Sequence, residues 1–276
     1  MLNASSRMAK LLKPTLASVF FFVASAALRA DDKPKDGPAQ STASRIQNRT
    51  YDFKDAGKQM EYSLFVPSTY DKTKKTPLII ALHGLGSTPW IMTHYPDFTN
   101  LAEKYGYIIA APMGYNVGGW YGNPPPFHGK TDPANLYELS EKDVMNVLEI
   151  VRKEFNVDSD RIYLMGHSMG GGGTFYLASK YPDIWAAAAP IAPAIFRPTS
   201  ELEKMKHIPV ILFQGDKDNL VRVERVRPWA EKMKALKMTS EYVEVPGAGH
   251  IDIASKANMA KMFEFFNQHK KGEKKE

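Results

Sequence analysis

An α/β chain built on a mostly parallel, doubly wound sheet with an antiparallel N-terminal hairpin is what the sequence predicts, from three observations. From Thr50 onward, short apolar runs alternate with stretches of helical period. The runs Pro77-Leu78-Ile79-Ile80-Ala81-Leu82 and Pro209-Val210-Ile211-Leu212-Phe213 are apolar at every position, the pattern of strands covered on both faces. No internal repeat divides the 276 residues, so the alternation argues one sheet rather than two domains.

In chain order, 50–54 and 60–66 flank Asp55-Ala56-Gly57 and read as the hairpin that edges the sheet. Parallel strands are expected at 78–82, 107–111, 162–165, 186–191, 210–213 and 241–245, and helices at 96–105, 140–155, 171–180, 222–236 and 253–269. Ser140 with Asp143 three residues on resembles a capping box and places a helix start at Ser140. The stretch 114–135, with prolines at 124 to 126, is the main irregularity, and it leaves the carboxyl end of a strand, the edge where such sheets bind ligands. Trp120, Tyr121 and Phe127 are therefore candidate walls of a substrate cleft, against the alternative of aromatics packed onto the body. Residues 195–202, with Phe196 and Pro198, are a second candidate wall.

Chemistry enters at Gly166-His167-Ser168-Met169-Gly170, which follows the run Arg161-Ile162-Tyr163-Leu164-Met165 and opens a helical stretch. Strand, sharp turn and helix meeting at one serine is the context of a nucleophile elbow, where only small residues fit two positions either side. Such an elbow calls for an acid and then a histidine beyond later strands. Gly215-Asp216-Lys217-Asp218 ends the run at 210–213 and offers Asp218 as the acid, with Asp216 as the other choice. Pro246-Gly247-Ala248-Gly249-His250 follows the last strand and offers His250 as the base. A serine hydroxyl is a poor nucleophile until a base takes its proton. The oxyanion donors are assigned to the backbone N–H groups of Met169, directly after the serine, and Leu85, in the glycine-containing loop His83-Gly84-Leu85-Gly86 after an earlier strand. His83 and His167 sit beside these donors and read as orienting or packing residues, His167 also as a substrate contact.

Rival chemistries fail on their own residues. Gly129-Lys130-Thr131 resembles the end of a phosphate loop, but Pro124 stands at its first glycine. Gly84-Leu85-Gly86 begins a dinucleotide fingerprint, but Pro89 stands at its third glycine. No His-Glu-x-x-His or cysteine-rich pattern indicates a metal, and no cofactor is expected. Of the net charge of +6, four units belong to the first thirty residues, which contain no acid, so nucleic-acid binding has little support.

Those thirty residues, with Arg7, Lys10 and Lys13 before an apolar run from Leu16 to Leu28, read as a secretory signal peptide cleaved after Ala27 or Ala30. The run is too short for a stable membrane span. The expected organisation is a signal peptide at 1–30, a flexible linker at 31–48, a catalytic domain at 49–269 and a charged tail at 270–276, in a secreted or periplasmic protein. Oligomeric state is not legible, and the absence of cysteine leaves the redox compartment unread.

From about Tyr51 to about Asn267, these residues resemble the α/β-hydrolase superfamily. The Gly-His-Ser-Met-Gly-Gly block and the segment from Asp143 to Tyr163 before it are similar to secreted serine esterases of polyhydroxybutyrate-depolymerase-like and feruloyl-esterase-like kinds, with dienelactone-hydrolase and prolyl-oligopeptidase-type hydrolases alongside. Gly170 to Gly173 followed by Thr174 resembles the elbow of bacterial cutinases and polyester hydrolases. The resemblance implies an α/β-hydrolase fold and cofactor-free cleavage of carboxylic esters, small or polymeric. The family's Gly-x-x-Asp spacing implies the acid at Asp218 and leaves Asp216 to cap the turn. The alternatives are a serine peptidase of prolyl-oligopeptidase type and a non-catalytic binding protein on the same fold.

Overall fold

The computed structural model describes residues 41–126 and 129–272. The expected signal peptide, Phe127, residues 31–40 of the linker and the end of the charged tail lie outside the described residues. Eight strands form one sheet: β1 (Gln47–Phe53), β2 (Lys58–Phe65), β3 (Thr76–Leu82), β4 (Ile108–Pro112), β5 (Val157–His167), β6 (Ala187–Ile191), β7 (Val210–Gly215) and β8 (Ser240–Val245). Their spatial order is β1-β2-β4-β3-β5-β6-β7-β8. β1 pairs with β2 and β2 with β4 antiparallel, and all other pairs are parallel. Gly57 closes the hairpin in the left-handed region at φ 62°, a conformation glycine adopts without steric cost.

Helices cover both faces, as the unbroken apolar strands require. Leu78, Ile80 and Leu82 of β3 join one core layer, with α3 (Leu136–Glu154), α4 (Met169–Lys180) and α5 (Val223–Ala235). Ile79 and Ala81, one residue out of step, join the opposite layer with α1 (Pro89–Thr93), α2 (Phe98–Tyr105) and α6 (Lys256–Asn267). Within α6, Met259, Met262, Phe263 and Phe266 recur at helical spacing and are fully buried, each contributing roughly 1.5–3 kcal/mol of apolar burial. Among the described residues no helix is long and apolar enough to cross a membrane.

Two expectations are corrected. α3 starts at Leu136 rather than Ser140, so Ser140 and Asp143 are interior and form no capping box. Their polar atoms serve the irregular segment instead: Ser140 Oγ accepts from Tyr121 N–H at 3.0 Å and Asp143 from Gly114 N–H at 2.6 Å. Tyr121 is fully buried beneath the site with its hydroxyl on the His83 carbonyl, and it walls no cleft. The five-residue α1 is an addition to the expected helices, begun by Pro89 and capped by Thr88 Oγ1 on Ile91 N–H.

Candidate active site

Ser168 stands between the end of β5 and the start of α4 at φ 58°, ψ −114°, a backbone state that a residue with a side chain adopts only under constraint. The constraint is local. Ser168 N–H donates to Ile191 O at 2.9 Å, and its carbonyl accepts from Gly172 N–H at 3.0 Å and Ala194 N–H at 2.9 Å. A Cβ at Gly166 would lie 2.3 Å from Gly170 O, and one at Gly170 would lie 2.2 Å from Leu82 O. Both contacts are with backbone, so the two glycines flanking the serine cannot be anything larger.

Met169, immediately after the serine, opens α4, where free N–H groups and the positive end of the helix dipole gather. Gly84 packs against the elbow from the other side: its hypothetical Cβ would stand 3.5 Å from Ser168 Cβ. Leu85, the next residue, has no acceptor for its N–H among the described residues. Its loop is held by Gly86 N–H on Val117 O at 2.9 Å and by the buried His83, whose ring nitrogens lie 2.8 Å from Gly84 O and 2.8 Å from Met113 O. Burial lowers the His83 pKa, while the two carbonyl acceptors work in the opposite direction.

Asp218 and His250 meet at 2.7 Å, Oδ2 to Nδ1. The Asp218 side chain is sealed from solvent, while the His250 ring keeps 11% of its surface. Burying a carboxylate is costly unless its oxygens are satisfied. Here Oδ1 accepts from Leu220 and Val221 N–H, both at 2.8 Å, and Gln214 Nε2 approaches Oδ2 at 3.4 Å while donating to Val221 O at 2.9 Å. Asp216 instead accepts from Gly247 N–H at 2.6 Å, tying the loop before His250 to the end of β7.

Ser168, His250, Leu85, Trp120 and His167 all line one open cavity of about 670 Å³. Phe196 lines it as well, with its ring edge-on to Trp120 at 5.6 Å. Among the described residues, no lysine, arginine, aspartate or glutamate lines it. Six large hydrophobic residues are exposed among those described, and five of them, Leu85, Trp90, Ile91, Leu220 and Ile251, belong to this cavity. Their exposure reaches 76% at Leu220 and 72% at Ile251, so they form an apolar collar beyond the cavity itself. Trp90, Ile91, Tyr95, Leu220 and Ile251 went unrecognised in the sequence because each lies on a loop or short helix with no motif of its own. Gln214 alone carried a signal, as the one polar residue at the end of an otherwise apolar strand.

The Asp143 carboxyl anchors the segment that reaches the loop of Leu85. It accepts from Gly114 N–H and, at 2.5 Å, from Tyr51 O–H, yet burial outweighs these bonds and raises its pKa to about 6. A raised carboxyl pKa favours folding below the unfolded value of 3.8 and loses that contribution as pH rises through about 6. A shift of that size amounts to about 3 kcal/mol. Asp143→Asn, which keeps shape without titrating, is therefore expected to gain about 2–3 kcal/mol on the wild type between pH 4 and pH 7 in urea unfolding. A pH-independent difference would reject this account.

The family described as "Putative esterase" matches the chain over residues 54–255. Relatives include "Putative esterase NocK" of Nocardia uniformis subsp. tsuyamanensis, 29% identical over 60% of this chain and 47% of its own length. Feruloyl esterase B of Neurospora crassa is 32% identical over 42% of this chain and 38% of its own. The chain thus spans less than half the length of these relatives. A solved CE1 ferulic acid esterase from Anaeromyces mucronatus, in complex with ferulic acid, superposes with a TM-score of 0.64 at 20% identity, covering 81% of this chain and 90% of the other. With the eight-stranded sheet and the family match spanning most of the sequence, the chain belongs to this esterase family of the α/β-hydrolase fold.

Proposed function

We propose that the chain hydrolyses uncharged carboxylic esters with apolar or aromatic groups, through an acyl-enzyme on Ser168. The observation that carries this reading is that His250, held by the buried Asp218 through a hydrogen bond, lines the same cavity as Ser168, in a member of an esterase family. His250 Nε2 takes the Ser168 proton as Oγ attacks the ester carbonyl carbon. Asp218 holds Nδ1–H and stabilises the imidazolium so formed. The Leu85 and Met169 N–H groups receive the developing oxyanion, each worth about 3 kcal/mol in the transition state. His250 then protonates the departing alcohol, and in the second half-reaction it activates water to release the acid and restore the serine.

Substrate class follows from the walls. A cavity with no charged side chain gives an ionised acyl group nothing to offset its lost hydration. Trp120 and Phe196 offer edges and faces to an aromatic ring. The peptidase alternative has no observation of this kind behind it. Secretion or periplasmic export is part of the proposal, supported by the basic and then apolar residues of 1–30.

The test is a matched pair: p-nitrophenyl butyrate against p-nitrophenyl hemisuccinate, in which a carboxylate replaces the terminal methyl. The butyrate is expected to show a kcat/KM at least about tenfold higher, with methyl ferulate also cleaved. Preference for the charged ester, or no hydrolysis of any neutral ester, would remove the reading.

A further inference from the structure

His167 packs its ring against the His250 ring, with centroids 4.8 Å apart, and is buried between the elbow and the loop that carries His250. Its Nε2 lies 2.8 Å from the His250 carbonyl oxygen and its Nδ1 lies 2.7 Å from the Tyr95 hydroxyl. A carbonyl only accepts, so Nε2 carries the proton. In the neutral ring Nδ1 must then accept, and the Tyr95 O–H supplies the donor. The two partners specify a single tautomer. Burial, reinforced by the neighbouring His250, lowers the His167 pKa to about 4, so the ring stays neutral through the range in which an esterase operates.

The loop from Pro246 to Ile251 has no regular structure and contains Gly247 and Gly249, which makes it costly in entropy to hold in one conformation. Asp216 tethers it at Gly247, Asp252 at Gly249 and His167 at His250 itself. His250 is thereby gripped twice, at its ring by Asp218 and at its main chain by His167. We propose that Tyr95 and His167 form a positioning pair for His250: Tyr95 sets the His167 tautomer, and the His167 Nε2–H fixes the main chain from which the catalytic imidazole projects. This rests on the reading of His250 as the base. Tyr95 also lines the substrate cavity, so the pair joins the substrate wall to the base.

A positioning role predicts a loss in kcat without a loss in binding. His167→Phe fills the volume and removes the donor, and it is expected to lower kcat for p-nitrophenyl acetate on the order of tenfold with KM unchanged. His167→Gln, whose Nε2 reaches the same carbonyl, is expected to return kcat to within about threefold of wild type. Tyr95→Phe removes one hydroxyl, and it is expected to lower kcat about threefold and to carry the test should His167→Phe fail to fold. Nitrogen NMR of the labelled protein should find the His167 ring as the Nε2–H tautomer from pH 5.5 to 8. Unchanged kcat in His167→Phe, or in Tyr95→Phe where that variant carries the test, would overturn the proposal. So would a Gln variant as impaired as the Phe variant, or an Nδ1–H tautomer. Failure of the underlying reading shows separately, as turnover retained by His250→Ala.

Discussion

Ser168→Ala is expected to lower kcat for p-nitrophenyl butyrate by roughly 10⁴- to 10⁶-fold and to abolish labelling by a fluorophosphonate probe. Without Oγ no acyl-enzyme forms, and what remains is whatever the two N–H groups and substrate binding give to direct attack by water. The fold should persist, because the bonds that hold the turn come from the Ser168 backbone rather than from its hydroxyl. The strain at φ 58°, ψ −114° remains in the alanine variant, since any Cβ feels it. Ser168→Gly separates the two effects. It should be equally inactive, yet more stable than Ser168→Ala by about 1 kcal/mol, the strain of about 1–3 kcal/mol less the added entropy of an unfolded glycine. Thermal unfolding reads that difference as a rise of about 2–4 °C for a domain of this size. Wild-type turnover in Ser168→Ala would end the assignment of the nucleophile, and equal stability of the two variants would mean that the elbow stores no strain.

What the sequence made legible was local. β3 and β7 were expected to within two residues, because a strand buried on both faces must be apolar throughout, and both are buried at every position. Ser168, Asp218 and His250 could be singled out as candidates because each follows an expected parallel strand, at the carboxyl edge where the topology gathers loops. The start of α3 was misread for an equally local reason. Its actual N-cap, Asn135, makes no side-chain capping bond, whereas Ser140 and Asp143 matched a capping signature while binding the Tyr121 and Gly114 N–H groups. Trp120 and Tyr121 were indistinguishable as adjacent aromatics. Both have positive φ, 58° and 51°, so the chain turns sharply there and sends one ring to the cavity and the other beneath it. The apolar collar was illegible for a different reason. Leu85, Leu220 and Ile251 come from three separate loops and Trp90 from the short α1, and only the folded arrangement shows that they share one rim.

Asp218→Asn is expected to fold and to lose roughly 10⁴-fold in kcat, and the hydrogen bonds around the carboxylate say why. Oδ1 receives two main-chain N–H groups at 2.8 Å, so an asparagine must turn its carbonyl oxygen to that side. Its NH₂ then occupies the Oδ2 position, 2.7 Å from His250 Nδ1, where it can only donate. Nδ1 is forced to accept, the ring proton moves to Nε2, and the nitrogen facing the cavity can no longer take a proton from Ser168. The same NH₂ meets Gln214 Nε2, a donor, which adds a modest loss of stability. Asp216→Asn makes the control, since its oxygen can still accept from Gly247 N–H and it has no bond to His250. That variant should stay within about threefold of wild-type kcat, a change smaller than the loss of one hydrogen bond. Should Asp216→Asn prove the inactive variant and Asp218→Asn the active one, the acid of the site would lie two residues earlier than the geometry at His250 implies.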